Sequence, residues 1–134
     1  MTTTRCALVV GATGIVGRTL SERLVEQGWE VLGLSRRTAS LPAGVTPVAA
    51  DLPDPGALTA AVADLRPTHV FVTTWSRQAT EEQNCAVNGA NLESLFAALQ
   101  DAPPERVALL TGLKHYLGPF ENYATNDPVT PFRE

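Results

Sequence analysis

The feature that most constrains the fold is an apolar run at 6–10 that leads directly into three glycines, Gly11, Gly14 and Gly17. This pattern predicts a buried strand, a tight turn and a helix whose first N–H groups can hold a pyrophosphate. We expect Gly11 to allow the turn, Gly14 to leave room for a ligand and Gly17 to let the helix approach the strand. The sequence therefore predicts a dinucleotide-binding βαβ unit.

The order of the apolar segments predicts an α/β fold with a doubly wound parallel sheet. Short continuous apolar runs, typical of parallel strands buried on both faces, alternate with stretches at helical spacing. The predicted strands are 6–10, 31–34, 45–49, 69–73 and 107–110, and the predicted helices are 15–27, 54–65 and 80–100. This alternation indicates right-handed crossovers and a Rossmann-type domain of about five strands. We assign that domain to 1–116 and an irregular tail to 117–134.

Local signals mark the helix ends. Gly28 is expected to end the first helix, and Asp54 is expected to cap a second helix that has Pro55 as its first residue. The third helix is expected to turn one apolar face toward the sheet. The residues of that face are Val87, Leu92, Leu95, Phe96 and Leu99.

The composition narrows the function classes. A chain of 134 residues with a net charge of −4 fits one globular domain and argues against a nucleic-acid partner. No segment approaches the roughly 20 apolar residues that span a bilayer, and MTTTR at the N-terminus does not resemble a signal peptide. Cys6 and Cys85 lack metal-like spacing, Cys6 is expected to be a buried thiol, and His69 is expected in the core. We therefore expect no metal site, no membrane partner and a cytoplasmic location.

The residues at the end of the second predicted strand indicate whether the dinucleotide is NAD(H) or NADP(H). Proteins that bind NAD usually carry an acid about 20 residues past the glycines, where it holds the ribose 2′-hydroxyl. This chain has Ser35, Arg36 and Arg37 instead. Guanidinium groups pair with a 2′-phosphate that an acid would repel. The alternative is a solvated loop with two arginines, but joined to the glycine turn the pair predicts NADP(H) over NAD(H).

The third predicted strand is followed by Asp51 and Leu52. In folds of this kind that corner lies beside the adenine, where an Asp can accept a hydrogen bond from the amino group and an apolar neighbour can stack. The alternative is that Asp51 only caps a turn before Pro53.

The fourth predicted strand ends in Thr73, Thr74 and Trp75, at the sheet edge where ligands bind in open α/β folds. The two hydroxyl groups are candidates for contact with the cofactor ribose. Trp75 either forms a wall of the nicotinamide site or only fills space.

The segment TGLKHYLGPF at 111–120 leaves the fifth strand at the same edge. Thr111 can approach the cofactor closely. Lys114 is placed to hold the nicotinamide ribose hydroxyls and to keep a nearby phenol acidic by its charge. His115 and Tyr116 are the His and Tyr adjacent to this candidate site.

Several strings together resemble one known family, the atypical short-chain dehydrogenase/reductases of the progesterone 5β-reductase and iridoid synthase type. Bacterial members are often described as NAD-dependent epimerase/dehydratase-like. The strings are GATGIVG, SRR, DL, VTTWSR, EQNCAVNG and TGLKHYLGPF. The resemblance covers nearly the whole chain but only about the N-terminal third of a full-length member.

The resemblance implies an NADPH-dependent reductase of activated C=C bonds, with a small enone-like substrate. It matches Lys114 to the active-site lysine of the family. The positions that it matches to cofactor contacts are Thr13, Gly14, Ile15, Val16, Arg36, Arg37, Asp51 and Leu52.

The chain also departs from the family pattern. The catalytic tyrosine of the family lies in a later NFYY-type motif that this sequence does not contain, and neither Tyr116 nor Tyr123 begins a YxxxK pair. We therefore expect weak or no turnover from this chain alone, and self-association through an apolar fifth strand left at the sheet edge. The alternatives are a non-catalytic NADP(H)-binding module, as in NmrA-like regulators, and a truncated product without a role.

Overall fold

A computed structural model describes residues 4–112, which form five strands and three helices. In chain order the elements are β1 (Cys6–Val10), α1 (Ile15–Glu26), β2 (Glu30–Ser35), β3 (Val45–Ala49), α2 (Pro55–Val62), β4 (His69–Val72), α3 (Glu81–Ala98) and β5 (Arg106–Leu109). The type and order of all eight elements match the sequence-based prediction.

The strands form one parallel sheet in the order β3-β2-β1-β4-β5. The chain winds outward from β1 through β2 to β3, then crosses back over the sheet to β4 and continues outward to β5. The direction of winding therefore reverses between β1 and β4. In such sheets the crevice at the carboxyl ends of the two strands that flank the reversal is the usual ligand site.

The core lies in two layers, one on each face of the sheet. All five residues of β1 are buried, because this strand is central and covered on both faces. Leu8 and Val10 pack with the layer that contains α2 and α3, while Ala7 and Val9 pack with the layer that contains α1. Helices on both faces make the fold a doubly wound α/β domain, as predicted.

The outer strands differ from the prediction of strands buried on both faces. In β3 only Val48 is buried, and all four residues of β5 are exposed. Both strands lie at the edges of the described sheet, so each has a hydrogen-bonded neighbour on one side there. Pro47 is tolerated in β3 because an edge strand has N–H positions that pair with no neighbour.

The second helix ends at Val62 rather than at Leu65. The Leu65 N–H donates to the Val62 carbonyl oxygen at 3.0 Å, a tighter pattern than that of an α-helix. The Arg66 guanidinium donates to the carbonyl oxygens of Ala63 and Leu65, which satisfies groups that the helix end leaves open. Pro67 follows and disfavours further helix. At the other end, Asp54 caps the helix as predicted.

The predicted apolar face of α3 is partly wrong. Leu95 and Leu99 are buried against the sheet, but Phe96 is 45% exposed. Leu92 packs against the same core, and the buried side of the helix also includes Asn84 and Asn91, which share the 84, 88, 91, 95, 99 stripe with Leu95 and Leu99. The prediction is therefore wrong for Phe96, and apolar spacing alone does not reveal the two buried asparagines.

His69 and Cys6 lie close to their predicted environments. Cys6 is buried in β1. His69 is half-buried rather than fully in the core. Its ring packs edge-on against the ring of Trp29, with 4.8 Å between the two ring centroids. None of the helices in the described part of the chain is long and apolar enough to cross a membrane.

Three predictions fall outside residues 4–112. These are the roles of Lys114, His115 and Tyr116, the boundary between 1–116 and the tail at 117–134, and the irregular character of that tail. All three stay predictions.

Candidate functional site

A cavity of about 540 Å³ opens at the carboxyl edge of the sheet, over the reversal point between β1 and β4. The predicted site residues that line it are Gly11, Thr13, Gly14, Ser35, Arg36, Asp51, Leu52, Thr73, Thr74 and Trp75. The lining residues that the sequence did not single out are Val10, Leu34, Ala50, Pro53, Ser76 and Asn91. The ends of four strands and one helix thus meet around one space of the size that small ligands occupy.

The glycine turn has the backbone geometry that its spacing predicts. Gly11 has a φ of +86°, a conformation that side-chain-bearing residues rarely adopt. A Cβ atom at Gly17 would overlap the carbonyl oxygen of Gly11, so only glycine lets α1 lie this close to the turn. At Gly14 the nearest atom to such a Cβ would be the same oxygen at 3.4 Å, which leaves the outer side of the turn open.

The start of α1 faces this opening. Gly14 is the N-cap residue and supplies no side chain to the N–H groups of the first turn. Uncapped N–H groups at a helix start carry partial positive charge and attract anions such as phosphate. Ile15 and Val16, which begin the helix, do not line the cavity; the Ile15 side chain is 90% exposed.

The end of β2 places a cation beside the cavity. The buried Ser35 hydroxyl donates to the Arg37 carbonyl oxygen at 2.8 Å and so fixes the turn at 35–37. Arg36 lines the cavity, whereas Arg37 lies outside it. Neither guanidinium forms an ion pair or a hydrogen bond within the described residues. Both are therefore available to an anionic ligand.

The end of β3 carries an acid and an apolar neighbour. The Asp51 carbonyl oxygen accepts from the Asp54 N–H at 3.0 Å, but its carboxylate has no hydrogen-bond partner within residues 4–112. The side chain that caps the following helix is that of Asp54, which accepts from the Ala57 N–H at 3.0 Å. Asp51 thus does not act as a side-chain cap, the alternative left open above. Leu52 belongs to the core and also lines the cavity.

The end of β4 is tied to the end of β1. The Thr73 hydroxyl donates to the Val10 carbonyl oxygen at 2.8 Å, so its proton is not available to a ligand. Thr74 also lines the cavity, and its hydroxyl has no partner within the described part of the chain. Trp75 is 62% exposed at the rim. Thr74 is therefore the more suitable of the two threonines for a ligand contact.

Two asparagines on α3 hold the loop after β4. The Asn88 amide accepts from the Ser76 N–H at 2.8 Å and donates to the Ser76 carbonyl oxygen at 2.9 Å. The Asn84 amide accepts from the Gln78 N–H at 2.6 Å. These bonds fix the rim of the cavity. In the sequence, the spacing of Asn84 and Asn88, which places both amides on one side of the helix, is the pattern that could have indicated these contacts.

The remaining predicted site residues do not line the cavity. Gly17 lies beneath the turn and acts through packing. Thr111 follows β5 and is exposed. Within residues 4–112, no group of three or more His, Cys, Asp or Glu side chains could hold a metal ion.

Comparison with known proteins identifies the family. The NAD dependent epimerase/dehydratase family model matches residues 7–133. The (S)-8-oxocitronellyl enol synthase of Nepeta racemosa is 34% identical over 139 residues, and the 3-oxo-Delta(4,5)-steroid 5-beta-reductase of Arabidopsis thaliana is 36% identical over 141 residues. Each alignment covers 96% of this chain, which spans 36% of either relative's length.

A solved structure supports the same assignment. The UDP-glucose 4-epimerase of Thermus thermophilus, in complex with NAD, superposes with a TM-score of 0.66 at 26% identity. The superposition covers 76% of this chain and 36% of that one. The resemblance expected from the sequence strings is confirmed. The chain belongs to the NAD dependent epimerase/dehydratase family, and its family-level cofactor is a nicotinamide dinucleotide.

Proposed function

We propose that the chain binds NADP(H) in this cavity and forms the cofactor-binding part of a short-chain dehydrogenase/reductase that reduces the C=C bond of enones. The observation that carries the cofactor choice is Arg36, which lines the cavity at the end of β2 and whose guanidinium has no partner within the described residues. That position favours NADP(H), because the 2′-phosphate lies where NAD-binding proteins usually place an acid.

The rest of the cavity accommodates the other parts of the cofactor. The uncapped start of α1 is suited to the pyrophosphate. Asp51 and Leu52 offer an acceptor and an apolar surface to the adenine. The other half of the cofactor would then extend toward Thr74 and Trp75, which line the cavity at the end of β4.

The reductase activity rests on the sequence relatives. The Arabidopsis relative is named as a 3-oxo-Delta(4,5)-steroid reductase, which acts on a C=C bond conjugated to a ketone. In this proposal NADPH delivers a hydride to the β-carbon of the enone, and a proton source completes the reduction at the α-carbon. Lys114 would hold the nicotinamide ribose. Neither Tyr116 nor Tyr123 begins a YxxxK pair, and we expect low turnover from these 134 residues alone.

Titration of the whole chain tests the cofactor choice. The fluorescence of NADPH and of NADH is followed as each is added to the protein at physiological salt. We expect NADPH to bind at least tenfold more tightly, since a charge-assisted contact to the 2′-phosphate contributes about 1.5–3 kcal/mol. Equal affinity, or a preference for NADH, would overturn the choice of NADP(H).

A second experiment separates the reductase from a non-catalytic NADP(H)-binding module. NADPH consumption is measured with a cyclic enone for the wild type and for Lys114→Ala. The reductase proposal predicts slow consumption with stoichiometric loss of the C=C bond, and a further loss of rate in Lys114→Ala. Tight NADPH binding without any enone reduction by the wild type would favour the module.

We also infer a cytoplasmic location, since neither cysteine is in a disulfide. Fractionation of the source cells tests this inference, and recovery outside the cytoplasm would contradict it.

A further inference from the structure

We propose that Asn91 reads the adenine base of the bound dinucleotide, accepting a hydrogen bond from the 6-amino group and donating one to ring nitrogen N7. Nothing in the family match or in the sequence strings assigns a role to this residue. The inference rests on the proposed function, because it requires that an adenine dinucleotide occupies the cavity.

Asn91 belongs to a stripe of three asparagines on the face of α3 that packs against the sheet. Asn84 and Asn88 come first along the helix, and their amides are used by the backbone of the loop at 76–78. Asn91 lies one turn farther along, and Leu95 continues the same stripe into the core. Asn91 thus lies between the asparagines that bind the loop at 76–78 and the leucine that packs in the core.

The Asn91 amide has no hydrogen-bond partner within the described residues, although the residue is only 8% exposed. In residues 4–112, no fully enclosed side-chain nitrogen or oxygen lacks a partner. The amide atoms of Asn91 must therefore reach accessible space, and the space that Asn91 lines is the cavity.

The chemistry of the cavity indicates which part of the ligand meets Asn91. The anionic groups already have suitable partners in Arg36 and the start of α1. A carboxamide is neutral and offers one acceptor beside one donor, which matches the amino group and N7 of adenine. Asp51 on the same cavity can accept from an amino group, but an ionised carboxylate cannot donate to a ring nitrogen.

The test combines two ligands with protein variants. Dissociation constants are measured by calorimetry for NADP⁺ and for its hypoxanthine analogue, in which a carbonyl oxygen replaces the amino group. We expect the wild type to prefer NADP⁺, and Asn91→Leu to bind NADP⁺ several-fold more weakly and to lose part of that preference, because Asp51 still offers an acceptor to the amino group. Asn91→Asp keeps an acceptor of the same shape but loses the donor to N7, so it should retain the preference for NADP⁺ while binding both ligands more weakly.

The outcomes separate a failure of the role given to Asn91 from a failure of the proposed function. If the wild type binds NADP⁺ but Asn91→Leu keeps both the affinity and the preference, the role of Asn91 is wrong and the proposed cofactor stands. If the wild type binds neither ligand, the proposed function itself fails. Thermal unfolding of each variant shows whether it is folded, and Asn91→Asp provides the comparison if Asn91→Leu is not.

Discussion

The Thr73 hydroxyl donates a hydrogen bond of 2.8 Å to the carbonyl oxygen of Val10, so it joins the last residue of β1 to the first residue after β4. These two strands flank the point where the sheet reverses its winding. The bond lies beside Gly11, whose carbonyl oxygen is 3.3 Å from the same hydroxyl. The Thr73 side chain therefore joins the end of β4 both to the end of β1 and to the first residue of the glycine turn.

Replacing this hydroxyl should destabilise the domain. Thr73→Val keeps the shape but leaves the Val10 carbonyl oxygen without this donor, and we expect a loss of about 1–2 kcal/mol in the free energy of unfolding. Urea denaturation measures it. Thr74→Val is the matched control, because the Thr74 hydroxyl has no partner within the described residues. Equal effects of the two substitutions would contradict the role given to Thr73.

The close approach of α1 to the turn makes a second prediction. Gly17→Ala would bring a Cβ atom into the Gly11 carbonyl oxygen, so we expect a loss of about 1–3 kcal/mol and weaker NADPH binding. Gly89→Ala is the control, since a Cβ atom there would meet nothing within 4 Å and alanine is the better helix former. Gly89→Ala should therefore be neutral or stabilising. A well-folded Gly17→Ala protein with unchanged binding would show that the contact is not needed.

The two cysteines should differ in reactivity. Cys85 is exposed, whereas burial raises the pKa of the Cys6 thiol and the charge of Glu30 raises it further. A thiol reagent at neutral pH should modify one thiol quickly in the native wild type and none quickly in Cys85→Ser. Rapid modification of native Cys85→Ser would contradict the burial of Cys6.

The same pKa shift predicts a pH dependence of stability. A raised pKa means that the native state holds the Cys6 proton more tightly than the unfolded chain, whose thiol titrates near 9.0. The stabilisation of the native state that comes from the protonated Cys6 thiol is fully present below that pH. It is lost as the pH rises through the higher native pKa. The free energy of unfolding of the wild type should thus fall more steeply above pH 9 than that of Cys6→Ala. If the free energies of unfolding of the two proteins fall equally steeply above pH 9, the raised pKa of Cys6 is contradicted.

The fifth strand makes a prediction about association with a second copy of the chain. Val107 and Leu109 are about half exposed on β5, which is an edge of the described sheet. Apolar edge strands pair readily with other strands. We expect the sedimentation coefficient of the wild type to rise with concentration and that of Val107→Glu/Leu109→Glu to stay constant. Ile15→Glu, which removes an exposed apolar side chain elsewhere, should still associate. A wild type that stays monomeric would refute this.

Much of the fold was predictable because its signals are local. Gly11 and Gly17 encode a turn and a close contact through the absence of a side chain, and the apolar run at 6–10 encodes a doubly buried strand. The chain position of each element follows from such signals. The end of α2 was missed because it depends on the Arg66 side chain bonding to the last carbonyl groups.

The position of the candidate site was predictable in outline, since the carboxyl ends of parallel strands meet at one edge and the cavity opens there. The role of individual polar residues was not. Thr73 and Thr74 are adjacent and chemically identical, yet only Thr73 finds a backbone acceptor across the sheet within the described residues. Asn91 was missed because its burial depends on how α3 packs, and its lack of a partner there is visible only once the loop at 76–78 is in place.

The proposed function requires that a 2′-phosphate binds beside Arg36. The most direct test is the ratio of the NADH to the NADPH dissociation constants in the wild type, in Arg36→Ala/Arg37→Ala, and in Arg23→Ala as a control for charge at the far end of α1. We predict that the double variant loses roughly tenfold or more of the preference for NADPH while NADH binding changes little, and that Arg23→Ala keeps the wild-type ratio. An unchanged ratio in the double variant would contradict the account.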